Sequence, residues 1–350
     1  MSEEDVYRAV ERTGEPWKVG ALLASAGVLF VVLLGASLLY VYYRKRRAEL
    51  RFMRTKIGGR VSLGSGSYGK VHKAKLTVRS EGLLEMPVAV KTILLDEDSG
   101  ARVQREVILL EKTSNLPNVV GYFRCDFVVT RWAHHIVMEL MEGGNLAEAL
   151  HGKLGVAMVP DARALTWDTG GKQLALRIVR GVIQLHSIQV VHCDITPSNI
   201  LLNKAWTEAK IGDVGLGRYM LGSRLSPVSK VFGTLCYIAP EVHRSVRQDE
   251  ASGVAQHYCN EKIDVFSLGV LLWQMVTGEK PYLEKMLPEM VEDMDRRGCT
   301  EEVQQVIREC LATDPRGRPC AWEVLARLKG SAEMRGSLGR ERDTYAEVER

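Results

Sequence analysis

Two aspartates and an asparagine in the middle of the chain have the types and spacing to act on a hydroxyl group and a hard cation. Asp194 lies in His192-Cys193-Asp194-Ile195-Thr196-Pro197-Ser198-Asn199, where its carboxylate can accept a hydroxyl proton. Asn199, five residues on, can ligate a metal ion, and Asp213 of Asp213-Val214-Gly215 adds an oxygen ligand of the kind Mg2+ prefers. Upstream, Leu63 to Val71 reads Leu-Gly-Ser-Gly-Ser-Tyr-Gly-Lys-Val, with Gly64, Gly66 and Gly69 spaced so that backbone N–H groups can approach a polyphosphate. Val88-Ala89-Val90-Lys91 ends a buried strand in an ammonium, which needs an acceptor there. Glu106 is the natural one. Taken singly, these are a hairpin turn, a snorkelling lysine and a solvated glutamate; their joint order is what points to chemistry.

These residues need a scaffold, and the hydrophobic pattern supplies one. Val88-Ala89-Val90 and Ile136-Val137-Met138 read as short buried strands, and Ala101 to Thr113 carries Val103, Val107 and Leu110 at helical spacing. After Gly143-Gly144 the pattern turns helical, with one helix over Gln173 to His186 and a strongly apolar one over Val265 to Thr277. The expectation is an α+β fold, a small sheet-rich lobe followed by a larger helical lobe.

With Ala239-Pro240-Glu241 closing the segment that opens at Asp213, the set resembles the eukaryotic protein-kinase domain over about 270 of 350 residues. The resemblance implies a bilobal fold that binds ATP and Mg2+ and phosphorylates protein substrates. Asp194 would be the catalytic base, Lys91 and Glu106 the activating ion pair, and Asn199 and Asp213 the metal ligands. Leu63, Gly64, Gly66, Gly69 and Val71 would cover the nucleotide, with Ala89, Lys91 and Leu201 also lining its site. Met138 resembles the gatekeeper, and Glu139 to Met141 the hinge whose backbone bonds adenine. Asp264 would steady the catalytic loop, and Arg318 would pair with Glu241. Leu165-Thr166-Trp167, Leu271-Leu272-Trp273 and Gly233-Thr234 resemble the tyrosine-kinase-like group, which mostly phosphorylates Ser and Thr. The His-Cys-Asp start resembles receptor-like kinases of the non-RD kind.

Three positions depart from the family pattern. Cys193 stands where an Arg usually meets an activation-loop phosphate, Val214 where a Phe is usual, and Thr196 where most Ser/Thr kinases carry a Lys. The loss of that cation points to a slow enzyme and sets up a membrane-tethered pseudokinase scaffold as the competing class; a tyrosine or dual-specificity kinase is the separate alternative to the Ser/Thr subgroup. Against the scaffold, Lys91, Glu106, Asp194, Asn199 and Asp213 are all present.

Charge and composition set the remaining expectations. Eight Lys or Arg fall within residues 44 to 60, and the rest of the chain is slightly acidic, which argues against nucleic acid as a partner. The seven cysteines follow no metal-site pattern and read as reduced thiols. Val19 to Tyr43 is a run of 25 residues without a charge, followed by Arg44-Lys45-Arg46-Arg47. It reads as a transmembrane helix, with the kinase domain on the cytosolic side. The organisation expected is a short extracytosolic tail (1–18), the span (19–43), a basic juxtamembrane linker (44–56), a kinase domain (57–329) and a C-terminal tail (330–350). A single-pass membrane protein of this kind would meet anionic lipid at residues 44 to 60, and a separate receptor subunit would supply any sensing.

Overall fold

The computed structural model describes residues 57–66, 69–79, 83–94, 99–128, 133–151, 165–221, 224–225, 235–242, 260–281, 290, 292–294 and 299–330. The chain divides into two units, one of Met1–Gly58 with Lys75–Met86 and one of Gly59–Ala74 with Pro87–Arg350. In the first, the described residues are strand ends carrying an exposed Lys75–Glu85 ion pair of 3.3 Å. The second holds every residue of the candidate site.

A five-stranded sheet comes first in the chain. Strands β1 (Ile57–Gly66), β2 (Gly69–Arg79), β3 (Leu83–Leu94), β4 (Tyr122–Val128) and β5 (Ala133–Glu139) lie in the order β1-β2-β3-β5-β4. Pairing of β3 with β5 is antiparallel and sets Ala89 opposite Met138 and Lys91 opposite Ile136. Helix α1 (Ser99–Thr113) buries Val103, Glu106, Leu109 and Leu110, a spacing of three to four residues that makes one inward stripe.

A helical part follows. It contains α2 (Leu146–His151), α3 (Lys172–Ser187), α4 (Lys262–Thr277), α5 (Glu301–Cys310) and α6 (Ala321–Lys329). Short strands β6 (Val190–Val191), β7 (Ile200–Leu202), β8 (Ala209–Ile211), β9 (Arg218–Leu221) and β10 (Arg224–Leu225) run between α3 and α4. Strands β7 and β8 form an antiparallel hairpin, and β6 pairs with β9. Helix α4 is buried on nearly all sides, as expected of a central core helix, and Gly278 caps it in the left-handed region at φ 72°. Gly181 sits mid-helix in α3, a costly place for glycine, because a Cβ there would lie 2.8 Å from the Asn118 carbonyl oxygen.

The expected α+β arrangement of sheet and helices is present, but the expected transmembrane helix is not part of it. Among the described residues, no helix is long and apolar enough to cross a membrane. The longest, α3 and α4, have 16 residues each and reach about 24 Å, short of a hydrocarbon core of about 30 Å. Residues 19–43, on which that expectation rested, and the linker at 44–56 lie outside the described residues. The fold is therefore corrected to a kinase-like domain with no membrane-spanning helix among the described residues. Membrane anchoring, the single-pass placement and the lipid and receptor-subunit partners are withdrawn with it. The six cysteines among the described residues are free thiols.

Candidate active site

The strand β3 delivers Lys91 into the interior, where its ammonium is bonded to two carboxylates. Its Nζ donates to Glu106 Oε1 on α1 at 2.7 Å and to Asp213 Oδ1 at 2.9 Å. Burial alone would lower the Lys91 pKa, but the charges of Asp213 and Glu106 hold it above the ordinary lysine value. For Glu106, burial pushes the carboxyl up, and Lys91 opposes that. Burial would also raise Asp213, yet the charge and hydrogen bond of Lys91 keep it below the usual carboxylate range.

Glycine makes this approach possible. A Cβ on Gly215 would lie 3.1 Å from Glu106 Oε2 and 3.2 Å from Asp213 Oδ1, tighter than ordinary packing. Asp213 itself adopts a left-handed backbone at φ 51°, uncommon for a residue with a side chain. Val214 is buried in the core, so the smaller side chain still packs.

Asp194 and Asn199 meet across a short loop. Asn199 Nδ2 donates to the Asp194 carbonyl at 2.8 Å and to its Oδ2 at 2.7 Å, so the carboxylate is held as an acceptor. His192 orients the loop from inside: the Asp194 N–H donates to His192 Nδ1 at 3.2 Å. That leaves the proton on Nε2, which donates to the Gly212 carbonyl at 2.9 Å. Thr196 is buried, and Asn199 N–H donates to its carbonyl oxygen at 3.0 Å.

The loop hangs from α4. Asp264, fully buried, accepts from the N–H groups of His192 and Cys193 at 2.8 Å each and from His186 Nε2 at 3.0 Å. Burial would raise its pKa, but the His186 hydrogen bond and the other donors hold it below the usual range. Cys193 takes a left-handed backbone at φ 66°, and its side chain packs against the cluster of Val191, Ala239 and Ile263. Arg318 forks onto Glu241 with two bonds of 2.7 Å and lies 5.0 Å from the Phe266 ring centroid.

Among the residues expected at a nucleotide site, Ala89 is buried opposite half-buried Met138. Leu201 on β7 lies close beneath Gly212, whose Cβ would be 3.3 Å from its Cδ1. Met141 is half-buried just beyond β5. Gly64 and Gly66 end β1, Gly69 opens β2, Val71 is half-buried on β2, and Leu63 is exposed. Glu139 does more than end a strand: its carboxylate accepts from Lys210 at 2.7 and 2.8 Å and from the Gly121 N–H at 3.0 Å. Lys210 and the indole of Trp206, which donates to the Gly143 carbonyl at 3.1 Å, were missed in the sequence. Lys210 could have been noticed three residues before Asp213; Trp206 carries no signal of its own.

Comparison with known proteins agrees with this geometry. The protein kinase domain family matches residues 59–328. A probable receptor-like serine/threonine-protein kinase of Arabidopsis thaliana is 34% identical over 226 residues, covering 63% of this chain and 45% of the relative. The serine/threonine-protein kinase VIK of the same plant is 30% identical over 285 residues, covering 76% and 58%. The mitogen-activated protein kinase kinase kinase nsy-1 of Caenorhabditis elegans is 30% identical over 281 residues, covering 76% and 17%. The chain spans about half the length of the first two of these relatives. With a family match over most of its length and these relatives among serine/threonine kinases, the chain belongs to the protein kinase family, whose domain is an ATP-using phosphotransferase.

Proposed function

We propose that this chain transfers the γ-phosphoryl group of ATP to Ser or Thr hydroxyls of protein substrates. The single observation that carries the reading is the three-way contact of Lys91 with Glu106 and Asp213, beside an Asp194 carboxylate kept as an acceptor by Asn199. Asp194 accepts the proton of the attacking hydroxyl. Lys91, held by Glu106, meets the α- and β-phosphates, and Glu139 to Met141 offers backbone to the base. Leu63, Gly64, Gly66, Gly69 and Val71 cover the phosphates, and Ala89, Met138 and Leu201 enclose the base.

The oxygen donors fit Mg2+. Asp213 offers a carboxylate whose side chain is 40% exposed, and both Asn199 amide protons go to Asp194, which points its amide oxygen elsewhere. Bound there, the ion would neutralise charge on the transferring phosphoryl group. The domain boundaries 57–329 belong to this proposal, as does the non-RD assignment. The latter is supported by Cys193, whose N–H goes to Asp264 and whose side chain brings no cation to Asp194. Activity then does not depend on a phosphate pairing at that position.

The test is phosphotransfer by the full chain with ATP, Mg2+ and generic Ser/Thr and Tyr substrates. Asp194→Asn should lower the rate by about a hundredfold or more while leaving ATP binding in place. Wild-type protein that binds ATP yet shows no transfer sensitive to Asp194→Asn would make the domain a scaffold instead.

A further inference from the structure

Two side chains outside the reacting set hold the segment that would receive adenine, one at each end. At its start, Lys210 on β8 bonds the Glu139 carboxylate at 2.7 and 2.8 Å, while the Glu139 N–H donates to the Gly121 carbonyl at 2.8 Å. At its end, Trp206 Nε1 donates to the Gly143 carbonyl at 3.1 Å, and the Gly143 N–H donates to the Leu202 carbonyl at 2.8 Å. The fit at this end is close: a Cβ on Gly143 would lie 2.1 Å from the Asn203 carbonyl oxygen. Between the two anchors run Leu140, Met141 and Glu142.

Both anchors belong to one hairpin. Ile200–Leu202 and Ala209–Ile211 pair antiparallel, with Trp206 in the turn that joins them. At the root of the same hairpin stand Asn199 and, past Gly212, Asp213; the Gly212 N–H donates to the Asn199 carbonyl at 2.7 Å. The hairpin is thus a short rigid piece with oxygen ligands at one end and the fastenings of the base-binding segment along its length. Fixing both ends of a three-residue stretch sets its path, and a preset path spares the ordering cost of binding.

We propose that Lys210 and Trp206 are positioning residues that set the base-binding segment at the correct distance from the phosphate-binding carboxylates. This rests on the kinase reading above. The residues touch neither phosphate nor hydroxyl; they act through Glu139 and Gly143. The contribution is therefore confined to the adenine half of the nucleotide.

The experiment measures, on the full chain, affinity for adenosine and for magnesium tripolyphosphate, together with KM for ATP and kcat. Lys210→Met and Trp206→Phe should each weaken adenosine binding and raise KM by about tenfold, the effect of roughly one charge-assisted or buried hydrogen bond. Tripolyphosphate affinity should stay unchanged, and Lys210→Arg should restore most of the adenosine affinity. Trp206→Phe keeps the ring's bulk and serves if Lys210→Met fails to fold. Unchanged adenosine affinity in both variants overturns the proposal. So does an equal loss for tripolyphosphate, which would mean general loosening. Wild-type protein that binds tripolyphosphate and no adenosine would instead sink the kinase reading, and this proposal with it.

Discussion

The Lys91 ammonium and the Asp213 carboxylate, 122 positions apart in sequence, are joined at 2.9 Å, and Glu106 shares the same ammonium at 2.7 Å. One cation thus links the sheet, helix α1 and the segment after β8. Two carboxylates face one ammonium, so removing the ammonium has a larger effect than removing either partner.

On the proposed function, Lys91→Met should lower phosphotransfer by about a hundredfold or more, through loss of a buried electrostatic contact to the phosphates. It should also change the pH profile of stability. Glu106 is already raised by burial, and without Lys91 it is raised further. A carboxyl with a raised folded pKa binds its proton more tightly folded than unfolded, so stability falls as pH climbs above the unfolded value. Urea unfolding at pH 5.5 and 8 should show the variant losing more stability at pH 8 than wild type does. A pH-independent gap between the two proteins would count against Lys91 as the counter-charge of Glu106.

Asp264→Asn should destabilise the domain by about 2–4 kcal/mol at pH 7, because an amide in that place turns an N–H toward backbone donors. Asp264 is depressed in the folded state, so its contribution is present above the unfolded carboxylate value near 4. That contribution is lost as pH falls through the lower folded value. Denaturant unfolding should therefore show the gap between variant and wild type constant from pH 7 to 5. The gap should then close as the pH is taken below about 4. A gap that widens in acid would contradict an ionised Asp264.

Gly269→Ala opposes two effects in the buried helix α4. Alanine favours the helix by about 1 kcal/mol. Its Cβ would lie 2.7 Å from Cys310 Cβ and 3.2 Å from Leu311 side-chain atoms, an overpacking that costs about 1–3 kcal/mol. The net expectation is a loss of stability. Cys310 gives a second readout, since burial pushes its thiol up to about 12 and keeps it unreactive while folded. Thiol labelling of Cys310 should speed up in the variant; an equal or slower rate would show that α5 has simply moved aside.

Much of this site could be read from the sequence, and the reason is local. Asp194 and Asn199 lie five residues apart in one short loop, so their spacing alone brings them near each other. Lys91 and Glu106 pair on charge logic alone, and their side chains lie 2.7 Å apart in the structure. What escaped were contacts decided by tertiary packing. Nothing local says that Trp206 reaches the Gly143 carbonyl, or that Lys210 selects Glu139 over a solvent-facing acceptor. His186 was read only as the end of a helix, and its bond to Asp264 depends on how α3 meets α4. The family resemblance supplied Asp264 and Arg318, whose roles no pattern of their own reveals. The membrane span was a reading of composition on residues that the structure does not describe.

The suspension of the catalytic loop from Asp264 also bears on which motions the domain can make. The His192 and Cys193 amides end on a carboxylate carried by the most deeply buried helix, not on a neighbouring strand. Such amides exchange with solvent only when that carboxylate withdraws, which requires α4 itself to open. The two amides are then expected to exchange with α4 and not with the exposed loops. On the proposed function, movement for nucleotide entry and product exit would then come from segments not fastened to α4, with Asp194 held in place.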